Sequence, residues 1–144
     1  MAEKPKILIV DDDSEFLEEV KSVLTPCEYD IELLSDGTLA LPMALKLKPE
    51  IILLDLKMGP KSGFQVADEL RRAPELKDVS VIAITGYFTE KEHQMLMNIC
   101  GIKKFLMKPL QPIHLISTIE FEFARRKMGN NNIERLSHDQ STWN

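Results

Sequence analysis

Short apolar runs separated by amphipathic stretches organise this chain. ILIV at 7–10, IILL at 51–54 and VSVIAI at 79–84 are nearly unbroken and rich in β-branched residues. Runs of this kind predict buried strands, and unbroken apolarity suits parallel strands covered on both faces. IELL at 31–34 and KKFLM at 103–107 are weaker versions of the same signal. Helical spacing fills the gaps. Phe16, Leu17, Val20, Val23 and Leu24 fall on one helical face, with Ser14 or Asp13 as its cap. Thr38 to Leu47 predicts a helix in which Pro42 forces a kink or a late start. Phe64 to Arg72 places Phe64, Ala67 and Leu70 on one side. Thr89 to Cys100 opens with TEKE, spaced as in a capping box. Pro112 to Lys127 carries Leu115, Ile116, Ile119 and Phe123, with Pro112 suited to a first turn.

Five strands thus alternate with five helices. Connections this short favour right-handed βαβ units, hence an α/β fold with an open, doubly wound parallel sheet and helices on both faces. Periodicity is lost after Gly129. Residues 129–144, GNNNIERLSHDQSTWN, predict a polar, flexible C-terminal tail, with Trp143 an unpacked terminal residue.

Composition narrows the class. Of 144 residues, 44% are hydrophobic and 28% charged, which suits one globular domain. A net charge of −5 argues against a nucleic-acid surface, and RRK at 125–127 reads as the basic last turn of a helix. Cys27 and Cys100 form no CxxC pattern and read as small apolar fillers, although two thiols leave room for one bridge. The apolar run after MAEKPK is too short for a signal peptide or a membrane span, and a cytoplasmic location is expected. His93, His114 and His138 show no ligand spacing.

In an open α/β sheet, sites form beyond the carboxyl ends of the strands. The unusual polar residues all fall there. Asp11, Asp12 and Asp13 follow the first strand, Asp55 ends the third, Thr85 the fourth and Lys108 the fifth. Alone, the acidic triplet could be a solvated turn, and Asp13 is best read as a helix cap. Together, convergent carboxylates call for a hard divalent cation such as Mg²⁺. An ammonium and a hydroxyl on the same rim make a phosphoryl site, in which Asp55 attacks phosphorus in line.

At this point the chain resembles the response-regulator receiver domain (CheY-like) of two-component signalling. The resemblance rests on Asp11–Asp12, Asp55 in LLDLKMG, Gly63, Thr85 thirty positions after Asp55, and Lys108–Pro109. It implies a flavodoxin-like (βα)5 three-layer sandwich with strand order 2-1-3-4-5, and a receiver domain over 5–128. It implies Asp55 as the phosphoacceptor, with Thr85 and Lys108 contacting phosphoryl oxygens. Mg²⁺, or Mn²⁺ in its place, would be held by Asp11, Asp12, Asp55 and the Lys57 carbonyl. Phe105 would be a switch residue, though plain core is as good a reading, and the Lys108–Pro109 bond is often cis. The implied partners are a sensor histidine kinase or histidine phosphotransfer protein, and a target protein docking on the fourth helix, fifth strand and fifth helix. A homodimer is also allowed; direct binding of nucleic acid or membrane is not expected. The chain would be a single-domain response regulator in a phosphorelay, a signalling domain with autophosphatase activity at most.

Three features depart from the family pattern. Gly59 stands where proline usually follows the methionine, which should alter only the loop path. Gly86 replaces the usual alanine beside Thr85, and Tyr87 is bulky near the site. Other readings are weaker. A haloacid dehalogenase-type phosphatase needs its nucleophile on the first strand and a further acidic pair after a later one. A flavodoxin needs a Ser/Thr/Gly-rich loop after the first strand. A phosphorylation-independent interaction module, or the receiver fragment of a longer regulator, stays open.

Overall fold

The computed structural model describes residues 4–86 and 91–142. Its main elements are β1 (Lys6–Val10), α1 (Ser14–Leu24), β2 (Asp30–Leu34), α2 (Ala40–Leu47) and β3 (Ile51–Asp55). They continue with α3 (Gly63–Arg72), β4 (Ser80–Thr85), α4 (Lys91–Ile99), β5 (Lys104–Met107) and α5 (Pro112–Thr142). The strands form one sheet in the order β2-β1-β3-β4-β5, and every neighbouring pair is parallel. The chain therefore has the flavodoxin-like doubly wound fold. Strand order reverses between β1 and β3, and that is where such a sheet opens a crevice.

Alternation along the strands sorts the core into two layers. Leu8, Val10, Ile52, Leu54 and Ala83 face Ala40 and Ala44 of α2, Val66, Ala67 and Leu70 of α3, and Met97 of α4. Ile7, Ile9, Leu53, Ile82 and Ile84 alternate with them and are equally buried. That second face is the one left for the buried stripe of α1, formed by Phe16, Leu17, Val20 and Leu24. Both faces of each inner strand are thus dry, which explains why the sequence shows apolar runs and no polar alternation.

Polar side chains set where the helices begin. Asp13 accepts hydrogen bonds from the N–H groups of Glu15 (3.0 Å) and Phe16 (3.3 Å), so Asp13, not Ser14, caps α1. Ser62 and Gln65 exchange reciprocal bonds at the start of α3, each side chain satisfying the other's backbone N–H. Pro42 produces the late start: residues Gly37–Leu39 form a 3₁₀ turn, and α2 begins at Ala40. Pro42 then lies in the first turn of α2, where a missing N–H costs nothing. The TEKE capping reading at Thr89 lies outside the described residues, as do Tyr87 and Trp143.

The described residues fall into two compact units, one closing at Gln111 and the other opening at Pro112. The second unit is α5. Its helix does not stop at Lys127 but continues to Thr142, through most of the stretch expected as a polar tail. Glycine costs about 1 kcal/mol inside a helix, so Gly129 weakens a helix without ending it. Within α5, Arg125 Nε donates to the buried Glu122 carboxylate at 3.2 Å. Among the described residues, no helix is long and apolar enough to cross a membrane.

Candidate functional site

Register builds the site. Val10 pairs with Leu54, so the next residues, Asp11 and Asp55, leave the sheet side by side. Asp55 pairs with Ile84, which sets Thr85 one residue further along the neighbouring strand. Thr85 pairs with Met107, and the N–H of Lys108 donates to the Thr85 carbonyl at 2.8 Å. Four adjacent strands therefore deliver Asp11, Asp55, Thr85 and Lys108 to one rim. Asp11, Asp55 and Thr85 are buried there.

Carboxylate oxygens of Asp11, Asp12 and Asp55 all lie within 4.8 Å of one another. Each of the three is oriented by a backbone N–H. Asp13 donates to Asp11 Oδ1 at 2.9 Å, Gly59 to Asp12 Oδ2 at 3.1 Å, and Lys57 to Asp55 Oδ1 at 3.1 Å. The Lys108 ammonium bridges the inner pair, 2.8 Å from Asp11 Oδ2 and 3.8 Å from Asp55 Oδ2. One ammonium does not neutralise three carboxylates. Burial, and next the nearby charge of Asp11, push the Asp55 carboxyl up to about 6, against the Lys57 N–H and Lys108, which favour its anion. A crowded set of hard oxygen donors with excess negative charge fits a small divalent cation.

Gly63 shows how closely the loop after β3 is folded back. A Cβ there would sit 2.1 Å from the Asp55 carbonyl oxygen and 2.6 Å from Leu56 Cα, so only glycine fits. Its N–H donates to the Leu56 carbonyl at 3.0 Å, which closes the loop over the strand end. The Lys108–Pro109 peptide is cis.

Several expectations change. Gly59 does more than alter the loop path: where proline would have no N–H, its amide holds Asp12. Phe105 is not plain core, because it stands exposed on β5 beside Met107, likewise exposed. Cys27 and Cys100 are both free thiols, and Cys100 is buried, with burial raising its thiol pKa. Sequence reasoning missed Phe16, which it assigned to the core. The ring lies beneath the Lys108 ammonium, 4.1 Å from centroid to Nζ. Its position three residues after a capping aspartate was the only signal, and that signal concerns the helix, not the lysine.

Comparison with known proteins agrees with this geometry. Residues 7–120 match the response regulator receiver domain family. The DNA-binding dual master transcriptional regulator RpaA of Synechocystis is 36% identical over 82 residues, covering 57% of this chain and 34% of RpaA. The DNA-binding response regulator MtrA of Mycolicibacterium paratuberculosis is 30% identical over 122 residues, covering 85% of this chain and 52% of MtrA. The chain thus spans about half, or less, of these curated relatives. Among solved structures, the chemotaxis protein CheY4 of Vibrio cholerae superimposes with a TM-score of 0.77 at 27% identity, over 82% of this chain and 98% of its own. The fold, the acidic cluster with its lysine, and the family match over 7–120 lead to one conclusion: this chain belongs to the response regulator receiver domain family.

Proposed function

We propose that this chain accepts a phosphoryl group on Asp55 from a phosphohistidine donor and passes the signal on through altered partner binding. The observation that carries this reading is the position of Lys108 Nζ, 3.8 Å from Asp55 Oδ2 and 2.8 Å from Asp11 Oδ2. That cation can follow negative charge from the carboxylate to an incoming phosphoryl oxygen, at a site built to hold it. In the reaction, an Asp55 oxygen forms the new O–P bond. The N–P bond of the donor breaks, its electron pair stays on the imidazole nitrogen, and that nitrogen takes a proton. Thr85, on the same rim, would donate its hydroxyl to a phosphoryl oxygen.

Asp11, Asp12, Asp55 and the Lys57 carbonyl would hold Mg²⁺, with Mn²⁺ an alternative. Bound there, the ion supplies charge neutralisation for the transferring group. The receiver domain would cover 5–128. Phe105 would respond to the phosphoryl group, with Pro109 as the second switch position. A target protein would dock on the apolar surface of α4 and β5, where Met95, Leu96, Ile99, Phe105 and Met107 are exposed. The relatives' greater length supports a second reading, in which this receiver serves a longer regulator.

Incubation with Mg²⁺ and acetyl phosphate tests the proposal. The expected result is an acid-labile mass gain of one phosphate, absent in Asp55→Asn. No gain in the wild-type chain would overturn it.

A further inference from the structure

Among the described residues, three groups surround the Lys108 ammonium. Two are the carboxylates of Asp11 and Asp55, at 2.8 and 3.8 Å, and the third is the Phe16 ring at 4.1 Å. The ring is buried and belongs to the first turn of α1, where its own N–H donates to the Asp13 cap. Asp13 is the one acid of the triplet outside the three-carboxylate cluster. By fixing where α1 begins, it also fixes where this ring stands.

We propose that Phe16 is a positioning residue for Lys108, seating the ammonium over its ring within reach of Asp55. The inference rests on Lys108 serving the phosphoryl site described above. Lysine carries its charge on a flexible four-carbon stem, and the Lys108 side chain is 24% exposed, so bulk water competes for the ammonium. An aromatic face attracts a cation, and more strongly where water is partly excluded. It also consumes none of the three N–H donors. Asp11 takes one of them. The ring holds the charge in place and leaves the other donors for phosphoryl oxygens. A third carboxylate, in place of the ring, would hold the lysine too, but would deepen the negative charge and use a donor.

Phe16→Leu keeps an apolar side chain without a π face, and Phe16→Tyr keeps the face. The first readout needs no chemistry: in the metal-free protein, the Cε protons of Lys108 are shifted upfield by the ring in wild type and Phe16→Tyr, and lose that shift in Phe16→Leu. The second is the phosphorylation rate with acetyl phosphate at saturating Mg²⁺. Phe16→Leu is expected to be about three- to tenfold slower, and Phe16→Tyr within about twofold of wild type. A packing defect alone would not separate the variants by their π face; should Phe16→Leu fold poorly, Phe16→Met replaces it. Wild-type phosphorylation with an equally fast Phe16→Leu, or a Phe16→Tyr as slow as Phe16→Leu, overturns the positioning role and leaves Asp55 as acceptor. An unshifted Lys108 in wild type does the same. A wild-type chain that takes no phosphate overturns the functional reading, and this inference with it.

Discussion

Asp55 and Asp68 sit on consecutive elements, β3 and α3, and each faces basic side chains, yet their acidities move in opposite directions. Asp68 lies on the surface of α3. Arg71 Nη2 binds its Oδ1 at 2.8 Å and Arg72 Nη2 its Oδ2 at 3.1 Å. The Arg71 hydrogen bond, with the charges of both arginines, lowers its pKa. Asp55 has a cation nearby too, but burial and the Asp11 charge outweigh it and raise its pKa to about 6. The difference teaches that a salt bridge does not define a site. Two arginines one helical turn away satisfy a carboxylate cheaply in water, and such pairs do little. Removal from water beside another carboxylate leaves a group poised for a new positive partner and for chemistry.

The largest expected effect breaks the comparison outright. Asp55→Asn should abolish the acetyl phosphate-dependent mass gain, whereas Asp68→Asn should retain it at the wild-type rate. If Asp68→Asn also lost it, the contrast between the two carboxylates would be without functional meaning. The next effect probes the frame around Asp55. Gly63→Ala places a methyl 2.1 Å from the Asp55 carbonyl oxygen, a backbone atom that cannot step aside. A loss of about 2–4 kcal/mol in urea unfolding is expected. Gly59→Ala is the control, since its Cβ meets nothing nearer than Asp12 Oδ2 at 3.8 Å. It should stay within about 0.5 kcal/mol of wild type.

The outline of this arrangement was legible in the residues. The runs at 7–10, 51–54 and 79–84 are the inner strands, because sheets covered on both faces demand unbroken apolarity. The convergence of Asp11, Asp12, Asp55 and Lys108 followed from their common place at strand ends. Less legible were contacts that depend on side-chain direction or on a single backbone N–H. Phe16 satisfies the helical spacing of a core residue and simultaneously faces a lysine far along the chain; periodicity reports only the first. Gly59 differs from proline by one N–H, and whether that donor finds an oxygen depends on the loop path. The end of α5 was missed because apolar periodicity marks a buried face, and a backbone helix can outlast it.

The third prediction uses pH to sharpen the contrast. Asp55 holds its proton more tightly in the folded chain, about 6 against the ordinary 3.8. Below pH 3.8 the group is protonated in both states and imposes no penalty. As pH rises towards 6 the unfolded chain ionises first, so stability is lost across that window and remains lower above it. The loss in metal-free protein is on the order of 3 kcal/mol. Urea unfolding in chelator should therefore find Asp55→Asn more stable than wild type at pH 7, with the two converging near pH 4. Millimolar Mg²⁺ should narrow the gap at pH 7 by stabilising wild type more than the variant, which has lost one of the carboxylates. An Asp55→Asn variant no more stable than wild type at pH 7 would mean that the carboxylate is not strained in the fold.

The smallest effect belongs to Asp68, and its sign is opposite. Its lowered pKa contributes stability above the ordinary carboxylate range, lost as pH falls through the folded-state value. Asp68→Asn keeps an oxygen for Arg71 and removes only the charge, so it isolates the electrostatic part of the cluster. A slight fall in thermal midpoint is expected at neutral pH and low ionic strength. At 1 M salt the Debye length shrinks to about 3 Å, and the variant and wild type should then coincide. The arginine stem packs independently of this charge: a Cβ at Gly101 would meet Arg71 Cδ at 3.3 Å, so the side chain already lies along that turn. A deficit that survives high salt would show the carboxylate acting through packing, and Asp68 would no longer be the solvent-screened counterpart against which Asp55 is measured.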